Sequence, residues 1–237
     1  MCSRNYNKLL TERAAPRVVP FGVFMTFIGI DEGLRFISEK GFLQVSAATF
    51  LYRYPLTVVV VGFLIWHYRK SYSELNWKDL SRPRSTLLSI AAGFLVFVLW
   101  INMSQSWATF GTPAGYNPSL VSDNFTVNFL IFSRLVGASI LVPVMEELFW
   151  RSWLLRYLIS PNFSNVAIAT FSWSSFIIGS LLFGLEHNLW LAGIMAGVAY
   201  SLLLYRSKSI SQCIVAHATT NFLLGIYVLN TGRWEFW

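Results

Sequence analysis

Long apolar stretches separated by short polar runs make up most of the sequence. A helix needs about 20 apolar residues to cross a membrane, and seven stretches approach or reach that length. The first also carries charged residues and is the weakest. The predicted spans cover residues 18–37, 45–67, 86–103, 126–149, 166–186, 189–205 and 210–230. The pattern predicts an all-α, polytopic transmembrane helix bundle of about seven to eight spans, forming one domain over 1–237.

Composition supports this fold class. Of the 237 residues, 55% are hydrophobic and only 12% are charged, and the mean hydropathy is +0.53. A soluble domain has about twice that charged fraction. The net charge of +7 is distributed over the polar runs and forms no single basic patch. Nucleic acid is therefore not an expected partner, whereas the lipid bilayer is.

The charges of the polar runs predict an orientation. Lys and Arg occur in residues 1–17, 68–85, 150–160 and 206–208, whereas 104–125 has neither. Basic loops remain on the cytoplasmic side of a membrane. We therefore expect a cytoplasmic N-terminus, with 104–125 as an external loop.

Charged residues inside apolar segments are costly and usually mark function or internal pairing. The fourth segment contains Glu146, Glu147 and Arg151. Glu147 and Arg151 are four residues apart, share a helix face and are predicted to form an ion pair. Glu146 lies about 100° around the helix from Glu147. Its carboxylate is therefore available for chemistry, and a general base is the role we expect.

Two later segments carry further polar pairs at helical spacing. Phe183 and His187 are four residues apart, and so are His217 and Asn221. A histidine and an asparagine on one face can both donate hydrogen bonds to a developing oxyanion. Taken singly, each group also fits a span end or an interhelical hydrogen bond. Taken together, they favour a shared membrane-embedded cavity.

The three groups resemble the motifs of the CPBP family, which includes CAAX prenyl endopeptidases and bacteriocin-processing or immunity proteins. The family motifs EExxxR, FxxxH and HxxxN occur here in the same order and are complete. They occupy residues 146–151, 183–187 and 217–221 within a motif-bearing core of about 126–230. Residues 1–125 carry no motif of the family.

The resemblance implies an intramembrane endopeptidase, a hydrolase that cleaves a peptide bond of a membrane-associated peptide or protein. It implies that Glu146 and His187 activate water and that His217 and Asn221 form the oxyanion hole, without a metal or other cofactor. It also implies an integral protein of a bacterial-type inner or cell membrane. The supporting residues of the motifs are Glu147, Arg151 and Phe183.

Three alternatives stay open at this point. Glu146, His187 and His217 have the ligand types of the two-histidine, one-glutamate zinc site of some proteases. Buried Glu and His also form proton relays in transporters. A non-catalytic scaffold or immunity protein would keep the same fold.

The predicted spans place Glu146 and His187 near opposite membrane faces. Two arrangements would bring the two side chains together. Pro143 could break the fourth span, because proline interrupts a helix. Alternatively, the fifth span could be displaced or tilted, so that His187 lies deep in the membrane.

Overall fold

The computed structural model describes residues 2–111 and 115–237, so residues 112–114 of the predicted external loop lie outside the described part. Helices dominate the described residues, which contain no strand. The predicted all-α class is therefore confirmed. Seven main helices of the described residues follow in order: α1 Cys2–Glu39, α2 Ala47–His67, α3 Pro83–Ile101, α4 Asn124–Tyr157, α5 Trp173–Leu185, α6 Trp190–Ser207 and α7 Ile210–Thr231.

Five of these helices are long and apolar enough to cross a membrane: α1 from Arg13 onward, α2, α3, α4 and α7. The protein is therefore an integral membrane protein. The predicted count of about seven to eight spans is not confirmed by the described residues. Each of the seven predicted segments nevertheless coincides with a helix.

The fifth predicted span, 166–186, is the clearest difference. Its helix α5 has only 13 residues. At 1.5 Å per residue it is about 20 Å long, against about 30 Å for the hydrocarbon core. The residues before it form turns, and Ala169 has a φ of 64°, which no helix accommodates. The apolar composition of this segment therefore overstates its helix length.

Helix α4 is continuous, so Pro143 does not break it. The Asp123 side chain caps its start by accepting a hydrogen bond from the Thr126 backbone N–H at 2.8 Å. Two wider, π-helical turns interrupt the α geometry at Gly137–Leu141 and Leu148–Leu154. The first ends just before Pro143, where the chain must accommodate a ring and a missing backbone donor. Wide turns of this kind frequently occur at functional sites.

Glycines let the helices that carry the motifs approach closely. A Cβ added at Gly93 in α3 would lie 2.2 Å from the Ala216 carbonyl oxygen in α7. A Cβ added at Gly184 in α5 would lie 2.7 Å from the Trp190 carbonyl oxygen in α6. These contacts leave no room for a side chain. One buried core contains Trp150 of α4, Phe183 of α5 and Ile214 of α7, so the segments with the three motifs pack together.

Candidate active site

The Glu147 carboxylate is the central buried acceptor of the site. Its Oε1 accepts a hydrogen bond from Arg151 Nη1 at 3.1 Å, so the predicted ion pair is present. The side chains of Glu147 and Arg151 are 0% and 2% exposed. The guanidinium also lies over the Phe183 ring, 4.3 Å from its centroid. Motifs one and two therefore meet through Arg151 and Phe183.

Glu147 also contacts the third motif, which the sequence did not predict. Its Oε1 lies 2.9 Å from His217 Nδ1, so the imidazole donates its Nδ1–H to the carboxylate. The Tyr200 ring stacks on the imidazole with 5.0 Å between centroids. Together the carboxylate and the stacked ring fix the orientation of His217. Its Nε2 lies 3.9 Å from Glu146 Oε2.

His187 lies just beyond the C-terminal end of the short helix α5. Its Nδ1 is 2.8 Å from the Phe183 carbonyl oxygen, which can only accept a hydrogen bond. The Nδ1–H therefore donates to this carbonyl. The neutral ring then leaves Nε2 unprotonated, as a proton acceptor. The Trp100 ring packs edge-on against the imidazole at 5.3 Å between centroids.

A cavity of about 210 Å³ joins the predicted catalytic side chains. Glu146, His187, His217 and Asn221 all line it, together with Phe183. Glu147 and Arg151 are not part of its lining. The neighbouring carboxylates of motif one thus occupy different environments, as the helical arithmetic predicted. Glu146 is buried, and its Oε2 has no hydrogen-bond partner among the described residues.

Asn221 lies one helical turn beyond His217 and reaches back to α4. Its Nδ2 donates a hydrogen bond to the Ala138 carbonyl oxygen at 2.9 Å. That carbonyl belongs to the wide turn Gly137–Leu141, so this local geometry of α4 helps to orient the carboxamide. An amide nitrogen carries two N–H groups, and one remains available to a ligand in the cavity.

Glu186 is a cavity residue that the sequence analysis missed. Its side chain is 10% exposed and lines the cavity. Glu146, Glu186 and His187 each place a potential ligand atom within 4.8 Å of the other two. These three residues could hold a cation, whereas the predicted zinc set contained His217 in place of Glu186. Its position in the sequence, beside the motif residue His187 and directly after an apolar run, is the feature that could have identified it as a candidate site residue.

One protein family has a sequence model that matches the chain, over residues 128–223, and it is described as type II CAAX prenyl endopeptidase Rce1-like. The matched segment contains all three motifs and runs from α4 into α7. Over these residues the chain is similar to the Rce1-like family. The predicted relationship to CAAX prenyl proteases is thereby confirmed. No curated protein and no solved structure matches the chain.

The match to the Rce1-like family, whose members are membrane proteases, confirms the predicted enzyme class. The match also implies a lipid bilayer and a protein or peptide substrate. It begins inside α4, so helices α1 to α3 lie outside the matched segment. All three nevertheless contribute to the lining of the cavity, with Phe24, Tyr54 and Trp100 respectively.

Proposed function

We propose that this protein is an intramembrane endopeptidase that hydrolyses a peptide bond of a membrane-associated peptide or protein. The observation that carries the proposal is the single cavity lined by Glu146, His187, His217 and Asn221. In this proposal the site is membrane-embedded. The short helix α5, about 20 Å long, would end within the hydrocarbon layer and hold His187 there.

In the first step a water molecule attacks the scissile carbonyl carbon. The Glu146 carboxylate and the unprotonated Nε2 of His187 accept hydrogen bonds from this water, and one of its protons passes to Glu146. The product of the attack is a tetrahedral intermediate with a negatively charged oxygen. In the second step the C–N bond breaks, and Glu146 returns the proton to the leaving amine.

His217 and Asn221 stabilise the oxyanion in this mechanism. The free N–H of Asn221 is one donor. His217 donates through Nε2, which requires the imidazolium form because Nδ1–H is bound to Glu147. The carboxylates of Glu147 and Glu146 lie 2.9 Å and 3.9 Å from the two ring nitrogens, where they can compensate the positive charge of the imidazolium. Glu147 thus acts as a positioning residue, and Arg151 and Phe183 support it.

The test is cleavage of a randomised peptide pool by the purified protein in detergent micelles, read by mass spectrometry. His187→Gln is expected to slow cleavage by about 10²-fold, because the attacking water loses one of the two acceptors that orient it. His67→Gln is the control, because His67 is exposed at the end of α2. Absence of cleavage by the wild type, or full activity of His187→Gln, would refute the proposal.

A chelator separates the metal-free reaction from a metal-dependent one. We propose metal-free chemistry, so wild-type activity should survive prolonged treatment with a strong chelator. Activity that disappears with the chelator and returns with zinc would instead assign Glu146, Glu186 and His187 as metal ligands, the set whose atoms lie within 4.8 Å of one another.

We also propose that residues 1–237 form one integral domain of a bacterial-type inner or cell membrane, with a cytoplasmic N-terminus. The distribution of Lys and Arg between 68–85 and 104–125 supports this orientation. Reporter fusions truncated after Lys78 and after Asn117 would test it. The first should be active only as a cytoplasmic reporter and the second only as an external one.

A further inference from the structure

Arg134 is a charged residue of α4 that belongs to none of the three motifs. No ion pair among the described residues includes it. Its guanidinium instead lies 4.3 Å from the Tyr54 ring centroid and 5.3 Å from that of Tyr116. Its Nε is buried and has no acceptor within the described part of the chain. An arginine inside an apolar helix without a counter-charge marks a functional site by default.

The Arg134 side chain lines the same cavity as Glu146 and His187. Three further lining side chains also have a buried polar hydrogen with no acceptor among the described residues: those of Tyr54, Trp100 and Trp237. Indole and guanidinium groups can only donate hydrogen bonds, and a hydroxyl donates readily. This part of the lining therefore offers donors and a positive charge, which an anionic ligand would satisfy.

The distance between this donor region and Glu146 follows from helix geometry. Arg134 and Glu146 are twelve residues apart on α4, which corresponds to about 18 Å along the helix axis. The Tyr54 hydroxyl lies between these two levels, since a Cβ added at Gly137 would be 2.7 Å from it. An extended peptide of about five residues covers the same length. The Arg134 and Glu146 side chains both extend into the cavity, so the distance between the guanidinium and the carboxylate can be shorter than this axial separation.

We infer that Arg134, together with Tyr54 and Trp237, binds a carboxylate of the peptide substrate, at most about five residues from the scissile bond. The inference rests on the proposed function and adds a determinant of specificity to it. The carboxylate has two possible sources, the C-terminus of the substrate or an acidic side chain near the cleavage site. Both present the planar pair of oxygens that a guanidinium binds with two hydrogen bonds.

Three forms of one cleaved peptide test the inference: the free acid, the C-terminal amide, and the amide with Asp as its last residue. Wild-type kcat/KM for the free acid should exceed that for the plain amide by about 10- to 100-fold, the effect of a charge-assisted hydrogen bond. Arg134→Gln should abolish the preference and Arg134→Lys should keep part of it. Arg206→Gln, at an exposed arginine near the end of α6, should keep it fully.

The two carboxylate sources give different results. If the Asp-amide peptide and the free acid have the same kcat/KM, and both values depend on Arg134, the bound group is a side-chain carboxylate. Activity on the free acid alone identifies the C-terminus. Equal cleavage of all three forms by the wild type, or a preference that survives in Arg134→Gln, would overturn the inference.

A binding measurement separates this inference from the proposed function. Fluorescein-labelled peptide pools with six randomised C-terminal residues, as free acids and as amides, are titrated with the Glu146→Gln protein. Anisotropy should show at least about 10-fold tighter binding of the free acids. Equal binding would overturn the carboxylate site even if the wild type cleaves peptides. Tighter binding of the acids would support it even without turnover.

Discussion

Glu147→Gln should be strongly destabilising, because it removes the charge that compensates Arg151. The carboxylate and the guanidinium are 3.1 Å apart and 0% and 2% exposed. Leaving a buried charge without its partner costs about 3–5 kcal/mol. For a protein of this size each kcal/mol lowers Tm by about 2–4 °C, so the expected loss is about 6–20 °C.

The chain offers a matched control for this substitution. Arg233 and Glu235 form an ion pair at 2.8 Å whose side chains are 40% and 38% exposed. An exposed pair contributes at most about 1 kcal/mol. Glu235→Gln should therefore shift Tm by less than about 4 °C. The assay is intrinsic tryptophan fluorescence during heating in one detergent, for both variants and the wild type.

A double variant sharpens the argument. Glu147→Gln/Arg151→Met removes both charges and replaces the guanidinium with an apolar chain. It should melt above Glu147→Gln alone, because replacing a buried pair costs less than breaking it. The reasoning is refuted if Glu147→Gln has the same Tm as Glu235→Gln, or if the double variant has a lower Tm than Glu147→Gln.

Three further outcomes follow from the structure. Asn221→Ala should lower kcat by about 10²–10³-fold with Tm little changed, as loss of an oxyanion donor does; an unchanged kcat would contradict that role. Gly93→Ala should prevent folding or lower Tm sharply, because the added Cβ would lie 2.2 Å from the Ala216 carbonyl oxygen. Gly22→Ala is the control and should leave Tm nearly unchanged, because its Cβ would have no atom within 4 Å. Equal Tm values for the two variants would contradict the close packing of α3 and α7. Burial raises the pKa of Glu74, but the hydrogen bonds and positive charge of Arg17, together with hydrogen bonds from Ser152 and the backbone, outweigh burial and leave the pKa below its usual 4.5. Its contribution to stability is therefore fully present above pH 4.5 and is lost as the pH falls through the lowered pKa of the folded protein. Glu74→Gln should lower Tm more at pH 7 than at pH 3, and an equal loss at both would contradict this.

Helical periodicity predicts which side chains of one helix share a face. The spacing of Glu147 and Arg151 indicates an ion pair, and the offset of Glu146 indicates a different environment. Both expectations agree with the structure, because a helix face depends only on the residue count. The faces of the His187 and His217 pairs follow from the same geometry.

Contacts between helices do not follow from periodicity. The hydrogen bond from His217 to Glu147 depends on how closely α7 approaches α4. That approach depends on packing, including small residues such as Gly93 that have no recognisable pattern in a single sequence. Glu186 and Arg134 were missed for a related reason. Arg134 lies outside the motifs and Glu186 is a variable position of the second motif, and only the folded chain shows that both line the cavity.

The length of α5 is also hidden from hydropathy. Residues 166–186 are apolar enough for a span, yet only 13 of them are helical. Hydropathy measures the cost of exposing side chains to water and is insensitive to backbone turns. The chain makes one such turn at Ala169, where φ is positive. The shortened helix is also what reconciles the positions of Glu146 and His187, which full-length spans would separate.

The most direct test of the mechanism is the activity and Tm of Glu146→Gln, measured on one preparation. The substitution is nearly isosteric. Among the described residues Glu146 has one ion-pair partner, His217, and the two side chains are 3.9 Å apart, so its loss should destabilise the fold little. A carboxamide cannot accept the proton of the attacking water, so cleavage should fall by about 10²–10⁴-fold. Tm should stay within about 4 °C of the wild type, as for a loss of about 1 kcal/mol. Cleavage at the wild-type rate would contradict a glutamate base, and an unstable but active Glu146→Gln beside a stable, inactive Glu147→Gln would reverse the two roles.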